Sequence, residues 1–179
     1  MTYVRWQILT YRFGPDAGTA RVAVWRELRK LGALALQQAT WAFPDEPELA
    51  AGLARTVSLV EASGGQALVV QVAENDQAAM AELEARFTDE REAEWAEFLG
   101  ECAKYSAEIA KEIAKEKFTL AELDEEEESL ERLRRWFRRL RGRDLFGAPS
   151  ASIAEGRLKE CAEALEGFAA RIYDARGHL

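Results

Sequence analysis

The sequence predicts an α+β fold, in which a small antiparallel sheet with two helices precedes a unit made of helices alone. Up to about residue 75, apolar runs rich in branched side chains alternate with helical patterns, and glycine or proline marks each change. Beyond that point alanine, glutamate, lysine, arginine and leucine dominate, a composition typical of helices. We therefore predict two domains, residues 1–75 and 76–179.

A strand and a helix are the first predicted elements. Residues 4–13 are rich in aromatic and branched side chains and stop at Gly14-Pro15, which signals a turn. Over residues 19–31, apolar side chains recur at intervals of three and predict one helical face. This face comprises Val22, Trp25, Leu28 and Leu31. Gly32 stands where a glycine that ends a helix belongs.

A hairpin and a second helix follow. The short apolar segments 33–37 and 40–44 predict the two strands of the hairpin. Asp45 is expected to cap the second helix, which has Pro47 in its first turn and ends at Gly64-Gly65. The apolar face of this helix is predicted to comprise Leu49, Leu53, Val57 and Val60.

The last predicted strand covers residues 66–73. Its near-continuous apolar run favours a position at the centre of the sheet. The resulting order, β-α-β-β-α-β, is the ferredoxin-like arrangement, with a four-stranded antiparallel sheet and both helices on one face. The other face is expected to be solvated or covered by the remainder of the chain.

Three amphipathic helices are predicted after residue 75. The first covers about 76–117, with a break near Thr88-Asp89, and its apolar stripe comprises Trp95, Phe98, Cys102, Tyr105, Ile109 and Ile113. The stripe of the second comprises Leu123, Leu130, Leu133, Phe137 and Leu140, and that of the third Leu158, Cys161, Leu165, Phe168 and Ile172. The stripes predict a three-helix hairpin or bundle.

Capping boxes predict where the second and third of these helices begin. Thr119 is followed three residues later by Glu122, and Ser152 by Glu155, so each hydroxyl can accept the hydrogen bond of a backbone N–H in the first turn. The second helix is expected to end near Gly142.

Length and composition limit the class of protein. A chain of 179 residues with 48% hydrophobic residues can bury a core, which argues against disorder. The sequence shows no signal-peptide pattern and no apolar run of about 18 residues, so we predict a cytoplasmic protein without a membrane span. Cys102 and Cys161 form no CxxC pattern, and neither a disulfide framework nor a zinc site is predicted.

The net charge of −8 argues against nucleic acid, but the charge is unevenly distributed. Residues 81–131 carry 6 basic and 18 acidic groups, whereas residues 132–143 carry 7 basic groups and no acidic one. These seven are Arg132, Arg134, Arg135, Arg138, Arg139, Arg141 and Arg143. Guanidinium groups bind phosphates and other oxyanions with paired hydrogen bonds, so we predict that the segment contacts DNA or an anion.

A second basic set surrounds Trp25 on the first helix and comprises Arg21, Arg26, Arg29 and Lys30. If it faces the same side as the later arginines, the two sets form one positive surface on an acidic protein. The alternative for these groups is an ordinary solvated helix face.

The arginine-rich segment has a second interpretation, in which nearby carboxylates neutralise it. Glu125–Glu128 and Glu131 lie within reach along the same helix. In that case the protein is a module for protein interaction or dimerisation and binds no nucleic acid. Salt dependence separates the two, because DNA binding through several arginines weakens steeply with salt.

No enzymatic activity and no cofactor are predicted. The sequence contains no glycine-rich phosphate loop, nucleophile elbow or HExxH motif. A metal-dependent nuclease on a ferredoxin-like fold would need an acidic residue at the end of the first strand, where this chain has Arg12 and Phe13.

Two segments resemble the N-terminal domain of the chromate resistance protein ChrB family. They are RVAVWRELRKLGALALQQATWAFP at 21–44 and WFRRLRGRDLFGAP at 136–149, and the first also resembles the ferredoxin-like domain of PaaX-type repressors. The resemblance implies a regulator of chromate-resistance genes, with Arg21, Trp25, Arg26 and the arginines around Trp136 at family-motif positions. Family members commonly continue into a second domain, so sensing is expected to be absent here or supplied by another chain.

Our leading hypothesis from the sequence is a regulatory protein of this type. It contacts DNA through the segment 132–143, assisted by Arg21, Arg26 and Arg29, and acts as a homodimer. Chromate is considered as the effector, because its oxyanion would compete with phosphate for the same guanidinium groups.

Overall fold

The computed structural model describes residues 5–15, 17–73 and 76–177. In chain order its elements are β1 (Trp6–Arg12), α1 (Gly18–Leu31), β2 (Leu34–Gln37), β3 (Thr40–Pro44), α2 (Pro47–Ala62), β4 (Gln66–Gln71), α3 (Gln77–Ala114), α4 (Leu120–Arg143) and α5 (Ser150–Gly177). Residue 4, where the first strand was expected to begin, lies outside the described residues. No helix formed by the described residues is long and apolar enough to cross a membrane.

The chain divides into two compact units, residues 1–87 and residues 88–179. The first turns of α3 therefore belong to the unit that contains the sheet. The domain boundary that composition indicates at residues 75 and 76 stays a prediction, and residue 75 lies outside the described residues.

The first unit has the predicted ferredoxin-like βαββαβ fold. Its four strands are antiparallel and lie in the order β2-β3-β1-β4. Helices α1 and α2 pack on one face of the sheet, around Leu9, Trp41 and Phe43. Trp6 projects from the opposite face, because side chains alternate along a strand, and its ring lies 5.8 Å from that of Phe87 on α3. The beginning of α3 thus covers part of the second face.

Strand β4 lies at the edge of the sheet, so the central position predicted for it was wrong. Within the described ranges β1 is its one neighbouring strand, and Leu68, Val69 and Val70 are exposed by 59%, 36% and 43%. An apolar run indicates a strand that can be buried, but the order of the strands is decided by the packing of the whole unit.

The buried face of α1 differs from the predicted one. Val24 and Leu28 are buried, whereas Val22 and Trp25 are exposed by 45% and 52%. Each interval of three residues shifts the position around the helix by about 60°, so the three steps from Val22 to Leu31 cannot keep to one face. The helix does end at Gly32, whose φ of 74° favours glycine, as predicted.

The N-cap of helix α2 lies one residue after the predicted position, and the helix begins at Pro47. Glu46 occupies the N-cap position and makes no side-chain cap bond. The Asp45 carboxylate instead accepts a hydrogen bond from Gln7 Nε2 at 2.6 Å, so its predicted capping role was wrong. The predicted apolar face of α2 does pack against the core of the first unit.

The second unit is the predicted three-helix assembly. Residues of all three predicted stripes pack in one core, which includes Trp95, Phe98 and Ile109 of α3, Leu130, Leu133 and Leu140 of α4, and Cys161, Phe168 and Ile172 of α5. Helix α3 is continuous through Thr88-Asp89, so the predicted break was wrong.

The two predicted capping boxes have different outcomes. Thr119 caps α4 and accepts a hydrogen bond from the Glu122 N–H at 3.2 Å, as predicted. Helix α5 begins at Ser150 rather than Ser152, because a carboxylate from another helix, that of Glu92 on α3, accepts the hydrogen bond of the Ser150 N–H at 2.8 Å.

Candidate nucleic-acid interface

Helix α4 joins an acidic half to a basic half. Up to Glu131 its charged residues are all acidic, and from Arg132 to Arg143 they are all basic. Basic side chains in the last turn, including Arg141 and Arg143, interact favourably with the partial negative charge of the helix C-terminus. The distribution of charge thus suits the helix dipole at its basic end.

The apolar side of this basic half is fixed in the core of the second unit. Leu133 and Leu140 are buried, and the ring of Phe137 lies 5.3 Å from that of Trp95. Trp136 packs edge-on against Phe98, with ring centroids 5.5 Å apart. Because these aromatic contacts hold one side of the helix, the arginines at the remaining positions are directed outward.

Three of the seven predicted arginines have side-chain partners among the described residues. Arg134 forms a salt bridge with Glu131 at 2.6 Å, and Arg143 forms one with Glu94 of α3 at 3.1 Å. Arg132 donates a hydrogen bond to the Ser129 hydroxyl at 3.1 Å. Arg143, which is largely shielded from solvent, therefore joins two helices rather than offering an open charge.

The other four arginines are exposed and form no salt bridge within the part of the chain that the structure describes. They are Arg135, Arg138, Arg139 and Arg141, and we call them the open arginine face. Neighbours on this face are three or four residues apart, and the face extends about 9 Å along the helix axis. Two helical turns thus present four guanidinium groups to solvent.

Direct neutralisation by a salt bridge within α4 is limited to one pair among the described residues. The hydrogen bond from Arg134 lowers the pKa of the Glu131 carboxylate, and the nearby charges of Arg138 and Arg135 lower it further. Of the carboxylates at 125–128 and 131, only Glu131 forms a salt bridge with an arginine among the described residues. Glu125, Glu127 and Glu128 are exposed, whereas Glu126 is buried. Glu127 and Glu128 line one surface groove together with Arg132 and Arg135 but form no salt bridge with them among the described residues, so this part of the acidic run lies beside the start of the basic half.

The segment directly after the open arginine face is held by one buried carboxylate. Asp144 accepts a hydrogen bond from Trp95 Nε1 at 3.0 Å and others from the backbone N–H groups of Gly147 and Ala148. It thus connects α3, the end of α4 and the turn that leads into α5. The sequence pattern did not predict this role, although Asp144 is the first acid after the arginines.

The second basic set lies on α1, in the other unit. Arg21, Arg26 and Arg29 are exposed, and Arg21 donates a hydrogen bond to the Gly14 carbonyl at 3.0 Å. The predicted combination of both sets in one surface stays a prediction.

Sequence reasoning did not find a groove beside this second set. Arg12, Arg21, Trp25 and Trp41 line it, together with Tyr11 and Phe13 from the end of β1, and its volume is ≈ 610 Å³. The Trp41 Nε1 is buried and has no hydrogen-bond partner among the described residues. Period-two alternation in β1 would have placed Tyr11 and Phe13 together on one face, which was the available signal.

The two cysteines lie together in the core of the second unit. Both are almost fully buried, and Cys161 Sγ lies 3.6 Å from the backbone oxygen of Cys102. A hydrogen bond from Cys102 lowers the pKa of Cys161 to about 7, and the same contact, together with burial, raises the pKa of Cys102. Their packing role matches the sequence prediction. Among the described residues, no three His, Cys, Asp or Glu side chains are grouped to hold a metal ion.

Comparison with known protein families gives a match over most of the chain. The family model described as Protein ChrB, N-terminal, matches residues 21–179, from the second turn of α1 onward. No curated protein and no solved structure matches the chain. Because the match includes nearly the whole chain, with α4 and the turn after it, the chain belongs to the ChrB N-terminal family, a chromate-resistance family.

Proposed function

We propose that this chain is a regulatory protein of chromate resistance that contacts DNA through the open arginine face of α4. The observation that carries the proposal is the exposure of Arg135, Arg138, Arg139 and Arg141 without salt bridges to described residues, in a protein of net charge −8. An acidic protein gains nothing in solubility from such a cluster, whereas phosphates bind it with paired hydrogen bonds.

The geometry of α4 suits a duplex. An α-helix fits the major groove, which is about 12 Å wide, and outward arginines on successive turns reach the phosphates that border it. Phosphate contacts of this kind set position and affinity, and they carry no sequence information by themselves. Arg21, Arg26 and Arg29 on α1 are proposed as further phosphate contacts.

We propose a homodimer as the active form, because a two-fold pair would double the number of phosphate contacts and match a palindromic site. The role would be cytoplasmic, where unpaired cysteines such as Cys102 and Cys161 persist. Chromate, as an oxyanion, is proposed as the effector, because it would compete with phosphate for the same guanidinium groups.

The test is a fluorescence-anisotropy titration with DNA from the region upstream of the gene and with scrambled DNA, at two salt concentrations. Arg135→Glu combined with Arg139→Glu is expected to weaken binding by at least about tenfold, since two phosphate contacts become repulsive. Lys104→Glu combined with Lys111→Glu changes the net charge equally on exposed residues of α3 and should have a much smaller effect.

Each outcome decides between the two functions. Salt-sensitive binding that the arginine variant loses, with a preference for the upstream DNA, supports regulation, and weakening by chromate supports the effector. Absence of binding at low salt would overturn the DNA proposal and favour the interaction module.

A further inference from the structure

The two edges of the sheet are protected to different degrees. Strand β2 is a short edge strand with an irregular register, and the carbonyl of Ala35 in it accepts a hydrogen bond from Arg86 at 3.3 Å. Short edge strands, bulges and covering charges are the usual devices that prevent a sheet from pairing with another chain. Strand β4 is less protected, because Gln66–Gln71 contains neither a charged residue nor a proline and its register with β1 has no bulge. Arg12 contacts it at its first residue and donates a hydrogen bond to the Gln66 side chain at 2.8 Å.

The hydrogen bonds of β4 show which backbone groups remain open. The Val72 N–H donates to the Trp6 carbonyl at 2.9 Å, and the register of β1 and β4 continues from that pair without interruption. In an antiparallel ladder, alternate residues bond the same neighbour, so Val70 and Leu68 also face β1. The backbone N–H and C=O groups of Ala67, Val69 and Gln71 therefore point away from the sheet.

This open edge is complementary to itself. A second β4 in antiparallel orientation, with the two-fold axis at Val69, places Val69 opposite its copy and Ala67 opposite Gln71 of the second copy. These are the positions with outward backbone groups, so all three outward residues of each strand join hydrogen-bonded pairs. No shift of the strand and no rearrangement of the β1 ladder is required.

The same register brings the exposed apolar side chains together. Leu68 and Val70 lie on the face of the sheet opposite α1 and α2, since Leu9 and its partner Val69 lie on the helix face. Each Leu68 then faces Val70 of the second copy, and side chains exposed by 59% and 43% become a four-residue cluster. Backbone and side chains thus favour the same arrangement.

We propose that two copies of this chain associate through β4 and form one continuous eight-stranded antiparallel sheet centred on Val69. A second copy is the proposed partner because one symmetric register gives a hydrogen-bonding partner to the outward backbone groups of Ala67, Val69 and Gln71. The same register pairs the exposed side chains of Leu68 and Val70. The test involves no DNA, so its result is independent of whether the open arginine face binds nucleic acid.

The first experiment is sedimentation velocity over a concentration series of the full chain. Leu68→Lys combined with Val70→Lys should raise the dimer dissociation constant by at least about tenfold, because the new lysines face each other across the axis. Ile153→Lys, an exposed apolar residue of α5, is the matched control and should leave dimerisation unchanged. Both sets of residues are exposed in the monomer, so folding is retained.

A charge exchange tests the register itself. Leu68→Glu combined with Val70→Glu should also dissociate the protein alone, and mixing it with the lysine variant should restore a mixed dimer. In the proposed register every new glutamate faces a new lysine.

Hydrogen exchange provides a readout at single backbone groups. The amides of Ala67, Val69 and Gln71 should become protected as protein concentration rises, whereas those of Leu68 and Val70 are protected at all concentrations by β1. A protein that stays monomeric at about 100 μM, or a dimer that the lysine variant leaves intact, would overturn the proposal.

Discussion

Trp95 on α3 donates its indole N–H to the carboxylate of Asp144, 3.0 Å away, directly after the last turn of α4. The same carboxylate accepts hydrogen bonds from the N–H groups of Gly147 and Ala148, and Asp144 is only 6% exposed. One buried acid thereby fixes the end of the helix that carries the open arginine face. A rigid helix end keeps the guanidinium groups in a constant arrangement.

Replacement of this acid should destabilise the second unit. Asp144→Ala leaves the N–H groups of Trp95 and Ala148 buried without partners and removes the acceptor of the part-buried Gly147 N–H, which together costs about 3 kcal/mol. For a chain of this length that corresponds to a fall in Tm of roughly 6–12 °C. Thermal unfolding followed by circular dichroism measures it.

The control for this prediction is Asp124→Ala, which removes an exposed acid from the same helix and should change Tm by less than about 2 °C. Equal effects of the two substitutions would show that the hydrogen bonds of Asp144 contribute little to stability.

The salt dependence of DNA binding should report the number of arginines in contact. If all four arginines of the open face neutralise phosphates, each protomer's face contributes about −3 to −4 to the slope of log K against log salt concentration. Arg138→Gln should reduce the magnitude of the slope by about one for each bound protomer, since one counterion fewer is released. Arg143→Gln should leave the slope unchanged, because Arg143 is bonded to Glu94.

Glu126 should make the stability of the second unit depend on pH. Burial raises the pKa of Glu126 above its ordinary value of 4.5, and the carboxylates of Glu108 and Glu125 raise it further. The folded chain therefore holds this proton more tightly than the unfolded chain, and stability falls as pH rises from the ordinary pKa through the raised one. Glu126→Gln removes the free-energy cost of ionising a buried carboxyl group.

The expected result for Glu126→Gln is a Tm higher by on the order of 2 °C at pH 7.5 and no gain at pH 4, where the carboxyl is already protonated. Glu127→Gln, at an exposed position, serves as the control. A gain at pH 4 equal to that at pH 7.5 would contradict the role of the buried charge.

The order and type of the elements could be predicted because local signals determine them. Gly32, Gly64 and the hairpin turn mark changes of direction, and the stripes on the last three helices repeat at intervals of three and four. The edge position of β4 could not be predicted, since an apolar run is compatible with a central strand and with an edge strand. Strand order depends on contacts between distant segments.

The candidate site was predicted as a segment but not in detail. Seven arginines at 132–143 are visible in the sequence, whereas the pairing of Arg143 with Glu94 depends on how α3 packs beside α4. Likewise, the sequence shows Asp144 only as an acidic residue that follows the arginines. Its structural role depends on the hydrogen bond from Trp95, which lies on another helix. Packing between helices, which spacing along one helix does not encode, decides which charges stay open.

The start of α5 provides a last prediction, because its cap comes from another helix. Glu92 on α3 accepts the Ser150 N–H at 2.8 Å and also binds the Ser150 hydroxyl. Glu92→Ala leaves the first turn of α5 without its acceptor and should lower the free energy of unfolding by about 1–2 kcal/mol. Glu97→Ala, at an exposed position of α3, should change it by less than about 0.5 kcal/mol. Urea unfolding of both variants measures the difference, and equal losses would mean that α5 does not depend on this carboxylate for its start.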